Sequence, residues 1–158
     1  MMRTDTMPTA SLGAVSRALA ALPAVERWGG SALLLLFRLW MASIFWNSAM
    51  VKLSAWGPTV ALFKRVYQVP VLPPEVAATM AVSVELAGPV FLLFGFATRF
   101  ATIPMLGMAL TIQFLVPDFY RIEHYYWMML LISLMVYGGG VFSADHWIRK
   151  HFHVADRS

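Results

Sequence analysis

Two ionisable side chains stand out inside the apolar runs of this 158-residue sequence, Arg38 in the first run, which also holds Asn47 and Lys52 toward its end, and Glu85 near the middle of the second. On insertion scales a charge inside the hydrocarbon of a bilayer costs about 2.5–3.5 kcal/mol, so each of these groups calls for a partner. Glu85 lies roughly 15 Å from either end of its run, by helical rise. Arg38 lies about seven residues inside the first run, and antiparallel helices would leave the two groups offset along the axis by about 5 Å. The spacing therefore predicts an intramembrane Arg38–Glu85 pair. Such a pair can fix helix register, or it can hold a proton, an ion or a polar substrate.

A second set of polar residues, Gln113, Asp118, Glu123 and His124, gathers where the third and fourth apolar runs join, at a height that Asn47 and Lys52 also reach. This predicts a cup-like outer pocket, against the plainer reading that residues at span ends are polar because they meet water. At 100° per residue, Arg38, Phe45 and Lys52 share one face of the first helix while Asn47 points nearly opposite, so one site cannot hold all of them. Arg99 falls in a tight connection at the other rim, where it can anchor the chain or bind an anion.

Metal and thiol chemistry find less support. There is no cysteine, which excludes disulfides, thiolate ligands and cysteine nucleophiles. His151 and His153 are fewer than the three or four ligands of a typical zinc site. Met105 and Met108 share a helical face that soft Cu(I) ligation would use, but thioethers more often fill apolar gaps, and no metal site is assigned. Phosphate loops, HExxH and nucleophile elbows are absent from the sequence.

The elements that must position these groups follow from composition. The chain is 59% hydrophobic and 13% charged, with mean hydropathy +0.67, against roughly 45–50% apolar and about 25% charged in a soluble domain. Lipid is the expected solvent. The fold class is all-α, an integral membrane four-helix bundle with spans at about 29–53, 75–96, 100–116 and 124–141. Residues 1–28 read as a cytosolic tail and 143–158 as a basic cytosolic tail. Between the first two spans, Ser54 to Pro74 forms a short amphipathic, proline-rich loop. Pro73-Pro74-Glu75 makes a helix start, Gly95 a C-cap, Thr98 an N-cap, and Ser143 a cap for a short tail helix.

Seven Lys and Arg residues fall on the side of the termini and four on the other (Lys52, Lys64, Arg65 and Arg121), which predicts both termini in the cytosol. The +4 charge is scattered between apolar runs, so anionic lipid headgroups are expected as partners and nucleic acid is not. Aromatic residues at span ends, Trp56 and Tyr126 among them, read as interfacial anchors.

Over about Leu33 to Ile148 the sequence resembles the DoxX family of small four-span bacterial membrane proteins. The segments that carry the resemblance are RLWMASIFWNSAMVKL (Arg38 to Leu53), VELAGPVFLLFGFATRFAT (Val84 to Thr102), and a final span from His124 closing in GGGVFSAD (Gly138 to Asp145). The second is similar to the family's Glu, Gly, Gly, Thr-Arg pattern at Glu85, Gly88, Gly95, Thr98 and Arg99. The loop LFKRVYQVPVLPPEVA resembles a narrower HvfX-like branch, associated with maturation of copper-binding, ribosomally made peptides. Where the family often ends in Ser-Leu-Asp this chain has Ser143-Ala144-Asp145, and without cysteine a thiol-based family mechanism is in doubt.

The resemblance implies an accessory protein of the bacterial inner membrane that works with a protein partner, in a copper-linked peptide maturation or a metal- or oxidative-stress system. The alternative is a subunit of a quinone-linked membrane oxidoreductase, with Glu85 or His124 handling the proton. A small transporter is a third reading, weakened by the lack of a second inverted half unless the chain forms a homo-oligomer. Quinone and copper are the cofactors these readings entertain. Whether the chain is itself catalytic is left open.

Overall fold

A computed structural model describes residues 9–68, 71–115 and 121–155, and every regular element among them is helical. In chain order these are α1 (Thr9–Ser54), α2 (Trp56–Leu62), a single π-helical turn (Phe63–Tyr67), α3 (Pro74–Phe94), α4 (Thr98–Leu115), α5 (Ile122–Tyr137) and α6 (Ala144–Ala155). Two helical stretches, Leu22–Ser54 and Pro74–Phe94, are long and apolar enough to cross a membrane.

Helix α1 differs from the expected arrangement of tail plus span. One helix of 46 residues, with Pro23 inside it, runs through both. Its contacts with the α5–α6 connection include Trp28, whose ring lies 5.7 Å from that of Phe142, and Ser31, whose Oγ accepts a hydrogen bond from the Val141 N–H.

Helices α1, α3, α4 and α5 pack side by side in cyclic order. Met41, Phe45, Leu92, Met105, Leu131 and Leu134 meet in the centre. Gly88 permits the close approach of α4 to α3, since a Cβ there would lie 2.6 Å from Met105 Sδ. That contact assigns Met105 to packing.

Helix α3 starts as its sequence predicts, with Pro74 at its first position and Glu75 in the first turn. It ends in a Schellman motif: Gly95 has φ 64°, its N–H donates to Leu92 O, and the Phe96 N–H donates to Phe91 O. The Phe91 and Phe96 rings stack across the same turn, the apolar contact that often accompanies this cap. Helix α5 stops at Tyr137, ahead of the expected 141, because Gly138 and Gly140 take positive φ and turn the chain.

The loop between the first two spans is itself helical. Phe63 at the π-turn packs on Ala77 and Ala78 of α3, with Tyr67 and Val60 beside them. The chain then leaves through Gln68 at φ 41° and Val71 at φ 77°, conformations that residues other than glycine seldom adopt.

Candidate functional site

The structure separates the predicted Arg38–Glu85 pair. Arg38 is buried at the end of the molecule where the α3–α4 turn and the α5–α6 connection meet, called here the terminal end. Its Nη2 donates to Phe142 O at 2.8 Å, and its Nη1 occupies the notch left by the missing side chain of Gly95. Ser48 lies ten residues after Arg38 and Glu85 ten before Gly95, about 15 Å along each helix. The offset is larger than expected because α1 overshoots its neighbours, so that Arg38, and not the start of the first span, stands level with the end of α3 at Gly95.

Glu85 pairs instead with Lys52. Lys52 Nζ lies 2.6 Å from Glu85 Oε1 and also donates to Ser48 Oγ at 2.7 Å, while Ser48 Oγ donates to the same carboxylate oxygen at 3.1 Å. Lys52 and Ser48 stand one helical turn apart on α1, so both reach the carboxylate from one side. Glu85 Oε2 is buried with no hydrogen-bond partner. Glu85 is only 2% exposed, and an acceptor this buried is costly to leave unmatched. Four residues on, Pro89 has no N–H, so the Glu85 carbonyl also lacks its usual helical donor.

This pair forms one wall of a chamber of about 360 Å³. Phe63 and Tyr67 of the π-turn cover it, and Ala81, Val84, Met108 and Ile112 supply apolar walls. Met80, Pro104 and Gly107 line it too and are exposed on the outer surface. The chamber therefore opens sideways between α3 and α4. Burial, followed by the negative charge of Glu85, pushes the Tyr67 phenol above its ordinary pKa, so it stays protonated. A smaller cavity of about 50 Å³ lies behind the carboxylate, between Ser48, Glu85 and Trp127, which is room for water.

The remaining candidates divide. Gln113 and His124 come together, His124 Nδ1 lying 2.8 Å from Gln113 Oε1, with the Trp127 ring 4.9 Å from the imidazole. Gln113 Nε2 is buried and has no partner. Lys52 is committed to Glu85 rather than to this group, and Asn47 is exposed on the opposite face of α1 in a groove with Trp46 and Leu93, as its helical angle requires. Asp118 lies outside the described residues. Arg99 is exposed at the terminal end.

Sequence reasoning missed Asp145. Its carboxylate accepts from the Ala97 N–H at 2.7 Å and the Thr98 N–H at 2.9 Å, and its own N–H donates to Gly95 O. Asp145 thus caps α4 from the far end of the chain. Thr98, expected to cap, is the first helical residue, and its Oγ1 is buried without a partner. Ser143 caps α6 as expected, accepting from the His146 N–H at 3.2 Å.

The residues so connected, Arg38, Lys52, Glu85 and Gly95, fall within the stretch 33–118 that matches the DoxX family model, more than half of the chain. The chain belongs to the DoxX family. No curated protein and no solved structure matches it. The match covers the first loop but is to the family as a whole, not to the narrower branch that this loop resembles. The family and the two long apolar helices make this DoxX chain a membrane protein.

Proposed function

We propose that this DoxX chain is a four-span accessory subunit of the inner membrane, with both termini in the cytosol, whose lateral chamber binds a quinone-type lipophilic molecule for a partner oxidoreductase. The observation that carries the reading is the Lys52–Glu85 pair, with its unmatched Oε2, facing an apolar chamber that opens toward lipid. The volume lies within the range of small-molecule sites, about 300–1,000 Å³, and such sites are mostly apolar with a few placed polar groups. Four spans are supported by apolar side chains facing outward on α4 and α5 as well, among them Ile103, Phe114, Met129 and Val136.

A bound quinone would supply two-electron chemistry, with electrons from the partner. Lys52 would donate a hydrogen bond to a carbonyl oxygen at the chamber wall. Glu85 would hold or pass a proton at Oε2, with the small cavity behind it as the route for water. The aliphatic walls would exclude bulk solvent and orient the ring edge-on to the pair. The pair does not suit Cu(I), since a salt-bridged ammonium has no lone pair to give and a carboxylate is a hard donor.

Organic extraction and mass spectrometry of the protein purified in mild detergent test the proposal. The expected result is quinone near one per chain, falling at least about tenfold in Lys52→Met while Asn47→Leu retains it, an interaction worth about 1.4 kcal/mol. Equal quinone in Lys52→Met and the parent, or none in either after reconstitution with ubiquinone, would sink it.

A further inference from the structure

The terminal end carries a second concavity, of about 580 Å³, between α1, α5 and α6. Arg27, His146 and Arg149 line it, and among the described residues the one acidic group beside them is Glu26. Arg149 is held by a hydrogen bond from Nε to Asp145 O at 3.2 Å, and the Arg27 guanidinium stands 6.0 Å from the Trp28 ring. The inner part of the concavity is apolar, and its Leu33 and Phe37 also line a further groove, of about 520 Å³, that continues past Trp40 to Leu130. From Arg27 to Trp40 the path follows α1 for about 20 Å, more than half the ~30 Å hydrocarbon thickness of a bilayer.

A basic mouth followed by an apolar trunk along one helix matches the two ends of a lipid and does not match a wholly polar solute. We propose that this groove binds one anionic phospholipid of the leaflet at the terminal end, its phosphate between Arg27 and Arg149 and an acyl chain along Leu33, Phe37 and Trp40. Glu26 bears on headgroup choice: it repels a second phosphate and tolerates a neutral glycerol. The lipid would fasten the overshooting part of α1 to α6, whereas the contacts of Trp28 with Phe142 and of Ser31 with Val141 tie α1 to the connection ahead of α6. The site is separate from the Lys52–Glu85 chamber and does not depend on what the chamber binds.

The test uses the full chain in nanodiscs of phosphatidylglycerol and phosphatidylethanolamine, followed by native mass spectrometry of lipid retained after transfer to mild detergent. One phosphatidylglycerol should be retained in preference to phosphatidylethanolamine. Retention should fall about 5-fold in Arg149→Gln and about 30-fold in Arg27→Gln/Arg149→Gln, each basic residue near anionic lipid contributing a similar factor. Lys64→Gln/Arg65→Gln, with the same change of charge at the other end, should retain the lipid, as should the parent in millimolar inorganic phosphate. Retention without headgroup preference, equal loss in the Lys64 and Arg65 control, or displacement by inorganic phosphate would each overturn the proposal. Quinone content should be the same in the Arg27 and Arg149 variants, so failure here leaves the chamber reading untouched.

Discussion

The two ends of this molecule use buried charge in opposite ways. At the terminal end Arg38, Asp145 and the capping hydrogen bonds of Ser143 are directed at backbone groups of turns, and the Arg38 Nε and Nη1 that find no hydrogen-bond partner among the described residues are packed against Gly95 and its neighbours with no cavity beside them. At the other end Lys52 and Glu85 are committed to each other, with one carboxylate oxygen left over and a chamber beside it. A charge locked onto backbone is architecture, because moving it undoes a turn. A charge locked onto another side chain beside a cavity can be rearranged by a ligand at far lower cost. Ionisable residues within apolar helices mark places of interest, but only their partners tell these two uses apart.

The sharpest way to break the contrast is to fill the terminal notch. A Cβ at Gly95 would overlap Arg38 Nη1 and come within 2.9 Å of Ser143 Cα, at a residue with φ 64°. Gly95→Ala should therefore cost about 4 kcal/mol or more, read as loss of accumulated protein in membranes. Normal accumulation and melting temperature would show that the terminal end is looser than its contacts imply.

At the other end, Lys52→Met leaves the Glu85 carboxylate buried and unpaired, and should cost about 3 kcal/mol by thermal unfolding in detergent. Lys52→Met/Glu85→Leu should recover most of that loss, because removing both partners of a buried pair is often neutral. If the double variant is as unstable as the single one, the pair is architectural and the contrast between the ends collapses. The smallest effect belongs to Asn47→Leu, expected within about 0.5 kcal/mol because the residue is exposed on the outward face. A larger loss would reveal a partner on that face.

Much of this was legible in the sequence, and particular residues show why. The inward face of α1 followed from 100° arithmetic alone: Arg38, Phe45 and Lys52 turn in and Asn47 turns out. The Pro74 start, the Gly95 stop and the Ser143 cap followed from residue types whose conformational preferences are strong. The partner of Glu85 did not follow, because axial register depends on where each helix enters the bundle, and α1 runs unbroken through Pro23, Gly29 and Gly30, so these residues do not mark that point as a helix end. Asp145 stayed hidden for a related reason. A side chain capping a helix 47 residues away leaves no local signature, whereas Thr98, which merely sits at the start of α4, carries the usual one. Apolar composition marks lipid contact, but the chamber arises from Phe63 and Tyr67 folding over α3 at a π-turn, a shape that no periodicity announces.

The bond from Arg38 to Phe142 O joins residues 104 positions apart, and that separation sets a timetable for biogenesis. At about 5–20 residues per second, ribosomal synthesis takes about 5–20 s to deliver the acceptor after the donor has been made. During that interval the first helix carries an arginine whose final partner does not yet exist, and its seat at Gly95 arrives only a little more than halfway through the wait. The guanidinium must be kept wet at the membrane edge, or sheltered by insertion machinery, until the last turn closes over it. The terminal knot is thus the final event of assembly. A chain truncated before Phe142 should present quality control with an early helix still holding an unburied charge.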